Sequence, residues 1–191
     1  MLKKILLSAL VPGILLAVPG SLGAQAGKAM AADPWYGRTT KAQFQPARTV
    51  DGFQLDWPKK DWLMLPSAGS LSLVMTTKKG DALVVVERTV LRQPLEPSDI
   101  TELFAQLESD AVKEKGQVLD VQARVIDANG RRLVAVQFQR TGMLGPERVR
   151  QYSLPVGKNL YRLICISTAA QFLSYDPLFS HMAASFTATA E

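Results

Sequence analysis

The segment that most constrains this chain is the run Leu160 to Thr168. In an extended strand, Leu160, Ile164 and Ile166 fall on one side and Tyr161, Leu163 and Cys165 on the other. Neither side suits water, so the strand must be central in a sheet with a layer packed on each face. The sequence offers two helices as cover. Ser98 and Asp99 are N-cap residues, and Glu102 stands three after Asp99 as in a capping box. Ile100, Leu103, Phe104, Leu107 and Ala111 then recur at helical spacing through about Lys115, and Gly116 supplies the stop. A closing helix is expected from Asp176-Pro177, with Leu178, Met182 and Phe186 on its inner side. The expected fold class is α/β (α+β): one antiparallel sheet sandwiched between helices.

The rest of the sheet follows from alternation. Phe53, Leu55 and Trp57 alternate with Gln54 and Asp56 until Pro58, and the apolar patch Trp62 to Leu65 precedes Pro66. Leu71, Leu73 and Met75 alternate again. The turn Lys78 to Asp81 leads into Ala82 to Val90, where Val84-Val85-Val86 indicates cover on both faces, and Pro94 to Pro97 reads as a connector. Asn129-Gly130 between Gln117 to Ile126 and Arg131 to Arg140 is a hairpin signal, because a tight primed turn needs positive φ. A loop with Gly142, Gly145 and Pro146 leads to a polar strand, Glu147 to Leu154, and Gly157-Lys158-Asn159 turns the chain into Leu160 to Thr168.

Ahead of this domain the sequence carries an export signature. Lys3 and Lys4 precede an apolar stretch, Ile5 to Val18, that is short for a membrane span. Pro19-Gly20 follows, and Ala24-Gln25-Ala26 has the small-x-small pattern of a cleavage site, so residues 1–26 read as a signal peptide. Removing them from the 191-residue chain leaves 165, enough for one domain with its own core. The net charge of +5 falls to +3, since two lysines and no acid depart. Residues 27–49 read as an extended lead-in pinned by Trp35-Tyr36 and Phe44, and residues 50–191 as the domain. The expected location is periplasmic or secreted. No cysteine follows the apolar stretch, so no lipid anchor is expected, and one cysteine forms no internal disulfide.

Asp51-Gly52-Phe53 running through Trp57-Pro58 to Trp62 resembles the opening of PsbP-like domains. The later order resembles them too: hairpin, helix, Asn-Gly hairpin, the Leu160-Tyr161 strand, and a terminal helix closing at Ser185-Phe186. The resemblance covers about Val50 to Thr189 and rests on the ordered set of landmarks. It implies an α/β/α sandwich and a non-enzymatic binding role. Relatives include the extrinsic subunit of the plant oxygen-evolving complex, bacterial envelope proteins of the DcrB type, and cytosolic effector chaperones. The export signal argues against the last branch. No photosynthetic motif carries over, and metal-binding residues proposed for the plant subunit have no match here.

Catalytic constellations are missing from the sequence. His181 is the only histidine and reads as a surface or capping residue. Cys165, among Leu163, Ile164 and Ile166, reads as a buried, inert thiol, and one Cys with one His does not build a zinc site. Glu108, Asp110 and Glu114 read as the solvated face of the first helix. No nucleophile elbow, phosphate loop or His-Glu-x-x-His occurs. The candidate interaction surface is basic: Arg140, Arg148, Arg150 and Arg162 on three successive strands, with Arg131 and Arg132 nearby, set against the alternative that they pair with acids. Nucleic acid is not expected without aromatic and basic residues interleaved. These readings point to a non-enzymatic interaction module of the cell envelope with no cofactor and an unidentified envelope protein as partner. The alternative is a small-molecule or lipid carrier holding its ligand between sheet and helix, with Trp57, Trp62, Met64 and Met143 as pocket residues.

Overall fold

The computed structural model describes residues 42–48, 52–67, 69, 71–95, 102–125 and 132–188. The expected signal peptide, most of the lead-in, the cap at Ser98-Asp99 and the Asn129-Gly130 turn lie outside them. In chain order the elements are β1 (Phe44–Arg48), β2 (Phe53–Pro58), β3 (Trp62–Leu65), β4 (Leu71–Thr77), β5 (Ala82–Leu95), α1 (Glu102–Lys113), β6 (Gln117–Val125), β7 (Arg132–Gly142), β8 (Gly145–Thr168), α2 (Phe172–Ser185) and β9 (Thr187–Ala188). All fall within one unit, Ala32–Glu191, in which both cores close.

The main sheet is antiparallel, in the order β3-β4-β5-β8-β7-β6. Its key element is β8. A straight strand of 24 residues would span about 80 Å, yet the Ala169 N–H donates to Pro146 O at 2.8 Å. The two ends therefore lie side by side, and β8 is a hairpin folded where Gly157 takes φ 58°. Its first arm pairs with β7, from Thr141↔Pro146 to Val134↔Ser153, and its second with β5, from Ala82↔Ser167 to Leu95↔Gly157. The Leu160 to Thr168 stretch is thus central, as its two apolar sides require.

Each face of this sheet carries a core. On one face Met75, Val84, Tyr152, Leu163 and Cys165 pack beneath Phe172, Phe179 and Met182 of α2, and Phe53 and Leu55 of β2 close the layer. β2 belongs to a small second sheet, β1-β2-β9. On the other face Val134, Val136, Phe138, Val149 and Ile166 pack against Ala105 and Val112 of α1. The protein is a mixed α+β structure, as its alternation pattern predicts, with two antiparallel sheets where one was expected and two helices among the described residues.

Four local expectations need correction. The end of the lead-in is strand β1, paired with β2 from Phe44↔Pro58 to Arg48↔Gln54. The Pro94 connector is still strand, because β5 runs to Leu95 beside the β8 turn. Helix α2 starts at Phe172, so Asp176 and Pro177 stand inside it and Asp176 is buried. Helix α1 is rotated from the expected face. Ala105, Glu108, Ser109 and Val112 are buried, while Leu103 and Leu107 are 69% and 49% exposed. The buried face carries Ala105 and Val112 in the core with Phe104 against it, and it includes Glu108, whose partner lies on the sheet.

Candidate functional site

The four candidate arginines do not form one stripe. In antiparallel pairs directly opposed residues share a sheet face, and the registers of β8 with β7 and with β5 divide the four two and two. On the α1 face, Arg162 donates from Nε and Nη2 to both oxygens of Glu108, at 3.0 and 2.7 Å. Gln151 adds a bond to the same carboxylate at 2.9 Å, as does the Ser153 hydroxyl. Burial pushes the Glu108 carboxyl up, but the hydrogen bonds and charge of Arg162, with the Ser153 and Gln151 donors, hold it below its usual value. Glu108, expected on the solvated face, is only 5% exposed. Arg140, on the same sheet face, donates to buried Glu147 at 2.8 Å, and the Leu144 N–H completes that carboxylate at 2.9 Å. A side chain at Gly142 would put Cβ 2.2 Å from Glu147 Oε2, so glycine is what admits this pair.

On the α2 face, Arg150 is 3% exposed and ion-paired with Asp176, which is 1% exposed. It also donates to Gln137 Oε1 at 2.8 Å and to the Tyr152 hydroxyl at 3.4 Å. Burial opposes its charge, but Tyr152 and Asp176 outweigh this and raise its pKa. Arg148 and Arg150 both lie over the Phe172 ring, at 5.6 and 5.1 Å from its centroid. Among the described residues the Arg148 Nε has no hydrogen-bond partner. These contacts fasten α2 to the sheet through charge, as the Glu108–Arg162 pair fastens α1.

Other candidates are equally occupied. Cys165 is fully buried, and burial raises its thiol pKa, so it is not a ready thiolate. His181 stacks on Phe44 at 3.8 Å and sits 3.4 Å from Asp56. Among the described residues no three His, Cys, Asp or Glu side chains converge on a metal-sized space. Between sheet and α2, the void lined by Leu133, Tyr152, Leu163 and Phe186 measures about 10 Å³. A carried ligand needs several hundred Å³, so α2 would have to lift away. The four proposed pocket residues do not assemble together. Trp62 is in the core against Tyr175 and Trp57 packs against the same core, whereas Met64 and Met143 are 45% and 88% exposed, one on β3 and the other on the β7–β8 turn.

A cleft of about 530 Å³ lined by Lys115, Gln117, Arg140 and Glu147 is open to partners, as is one end of the sheet. Three backbone hydrogen bonds align its loops: Lys78 N–H to Asp61 O at 2.8 Å, Thr168 N–H to Asp81 O at 3.4 Å, and Ala169 N–H to Pro146 O at 2.8 Å. They bring together the β2–β3 loop, the β4–β5 turn, the β8–α2 junction and the β7–β8 turn. Lys59 and Lys60 stand on the first, Lys78 and Lys79 on the second, and all four are exposed. Asp61 lies 3.9 Å from the Lys78 ammonium. Asp81 accepts from the Thr77 hydroxyl at 2.6 Å and from Tyr175 at 2.8 Å. Met143 protrudes from the two-residue turn between Gly142 and Gly145, and Leu173 is 69% exposed in the first turn of α2. Sequence reading missed this end, because its lysine pairs are distant in the chain and only strand order joins them.

Solved structures with this arrangement include the solution structure of CyanoP, the cyanobacterial PsbP of Synechocystis sp. PCC 6803. The similarity has a TM-score of 0.55 at 15% identity and covers 88% of this chain and 99% of that one. The fold is PsbP-like. LpqN of Mycobacterium tuberculosis, whose structure is described as that of a protein involved in cell envelope biogenesis, is similar at TM-score 0.57 and 14% identity, over 79% of this chain and 93% of its own. No protein-family model matches the chain, and no curated protein matches it in sequence. The PsbP-like fold sets where the helices and turns stand; it assigns no role to a residue. Among the described residues no helix is long and apolar enough to cross a membrane.

Proposed function

We propose that this chain is an exported, non-catalytic interaction module of the cell envelope, allied to the DcrB-type branch of PsbP-like proteins. The observation that carries this reading is how the interior ionisable groups are used. Arg150 with Asp176, Arg162 with Glu108, and Arg140 with Glu147 each join one part of the fold to another. A catalytic group must reach a substrate from a cleft; Arg150, Asp176, Arg162 and Glu108 are closed off by their own partners, and Arg140 and Glu147, which line a cleft, are bonded to each other. Export is supported by Lys3-Lys4, the apolar run after them and Ala24-Gln25-Ala26. The envelope assignment gains support from LpqN, the envelope-biogenesis protein with the same fold. Contact through the outer surface is then the activity left to the chain, with an envelope protein as partner.

Fractionation combined with a substrate screen tests this reading. The exported form should begin at Gly27 and appear in the periplasmic or secreted fraction. Turnover of any substrate by purified protein, abolished by a point substitution, would refute it.

A further inference from the structure

The aligned loop end combines two features that need not have met. Lys59, Lys60, Lys78 and Lys79 form a basic corner against Asp61 and Asp81, and Asp81 is engaged by Thr77 and Tyr175. Beside this corner two apolar side chains project without cover, Met143 from a hairpin tip and Leu173 from the start of α2. We propose that this end of the sheet docks onto an anionic lipid surface. Met143 and Leu173 enter the headgroup region, and the four lysines meet phosphate groups around them. The inference goes beyond the protein-contact reading and does not depend on it.

Two arguments favour lipid over an acidic protein. Met143 and Leu173 stand singly, one on a hairpin tip and one at a helix start, and not as one contiguous patch. Isolated tips suit a fluid plane, which closes around each one, better than a protein surface, which must present a shaped pocket for each. The cations are lysines on turns, long and mobile side chains that gather headgroups without fixed geometry, whereas Arg140, Arg150 and Arg162 are locked into carboxylate pairs. Neither an apolar tip nor a few lysines alone gives stable membrane binding; the pair of signals does.

The test uses the chain from Gly27 onward, the expected exported form, and flotation with phosphatidylcholine vesicles with or without phosphatidylglycerol. The proposal expects binding only when phosphatidylglycerol is present, weakening as salt is raised. Lys78→Glu with Lys79→Glu, and separately Met143→Asp, should each weaken partitioning by about tenfold or more, with unchanged melting temperatures because all three residues are exposed. Equal recovery with both vesicle types, or no binding by the wild type, overturns the proposal. So does binding that survives both variants. Absent vesicle binding, a protein adduct lost on Lys78→Glu with Lys79→Glu would give the corner to an acidic protein instead.

Discussion

Replacing Glu108 with Ala is the sharpest perturbation of this fold. The substitution removes the carboxylate that holds Arg162 through bonds of 3.0 and 2.7 Å and also engages Gln151 and Ser153. Arg162, only 11% exposed, is left charged beneath α1 without its carboxylate, with Thr89 Oγ1 at 3.5 Å as a remaining partner. Removing one partner of a buried pair costs about 3–5 kcal/mol, against a total stability of about 5–15 kcal/mol for a domain. At about 2–4 °C per kcal/mol for a domain of this size, melting should fall by roughly 6–20 °C. The companion variant, Glu108→Met with Arg162→Met, removes both charges and should recover most of that loss, since an apolar pair of similar volume is often no worse. Urea and thermal unfolding of wild type, both single variants and the double variant complete the cycle. A cost below about 1 kcal/mol for Glu108→Ala, as for an exposed pair, would refute the reasoning. The pH dependence gives an independent reading. Because the folded pKa of Glu108 is depressed, its contribution is fully present above the unfolded carboxyl value of about 4.3 and is lost as pH falls through the folded value. Wild type and Glu108→Ala should therefore converge in stability toward acid pH.

Further outcomes follow from other contacts. Arg150→Glu with Arg148→Glu should unfold the chain, because a new carboxylate would face buried Asp176; a native circular dichroism spectrum would show that the Arg150 pair is dispensable. Leu163→Asp should also unfold it, at a cost of several kcal/mol by order of magnitude, since Leu163 is 2% exposed on the central strand; an unchanged melting temperature would contradict that placement. Gly142→Ala should cost about 1–3 kcal/mol by driving Cβ into Glu147, and equal urea midpoints would contradict it.

The strands were legible because alternation is a local signal, and the β8 hairpin was legible because Gly157-Lys158-Asn159 separates its arms. Charge pairing was not. Arg148 and Arg150 share a face by spacing, but Arg162 reaches the other face only because the turn sets it beside Ser153, which shares its bond to Glu108. Glu108 itself lies 54 residues from Arg162, beyond any window of periodicity, and the face of α1 that carries it is buried in place of the Leu103 and Leu107 stripe. Likewise β1 shows weak alternation of its own and gains its form from β2. The loop end beside Met143 depends on four turns meeting, which no single segment reveals.

The central claim is that surface contact at the envelope, not turnover, is the work of this chain. Crosslinking of the exported protein in intact cells tests it most directly, alongside a substrate screen of the purified protein. The account predicts defined adducts on envelope proteins and no turnover. No adducts, with turnover of a substrate that a point substitution abolishes, would contradict it.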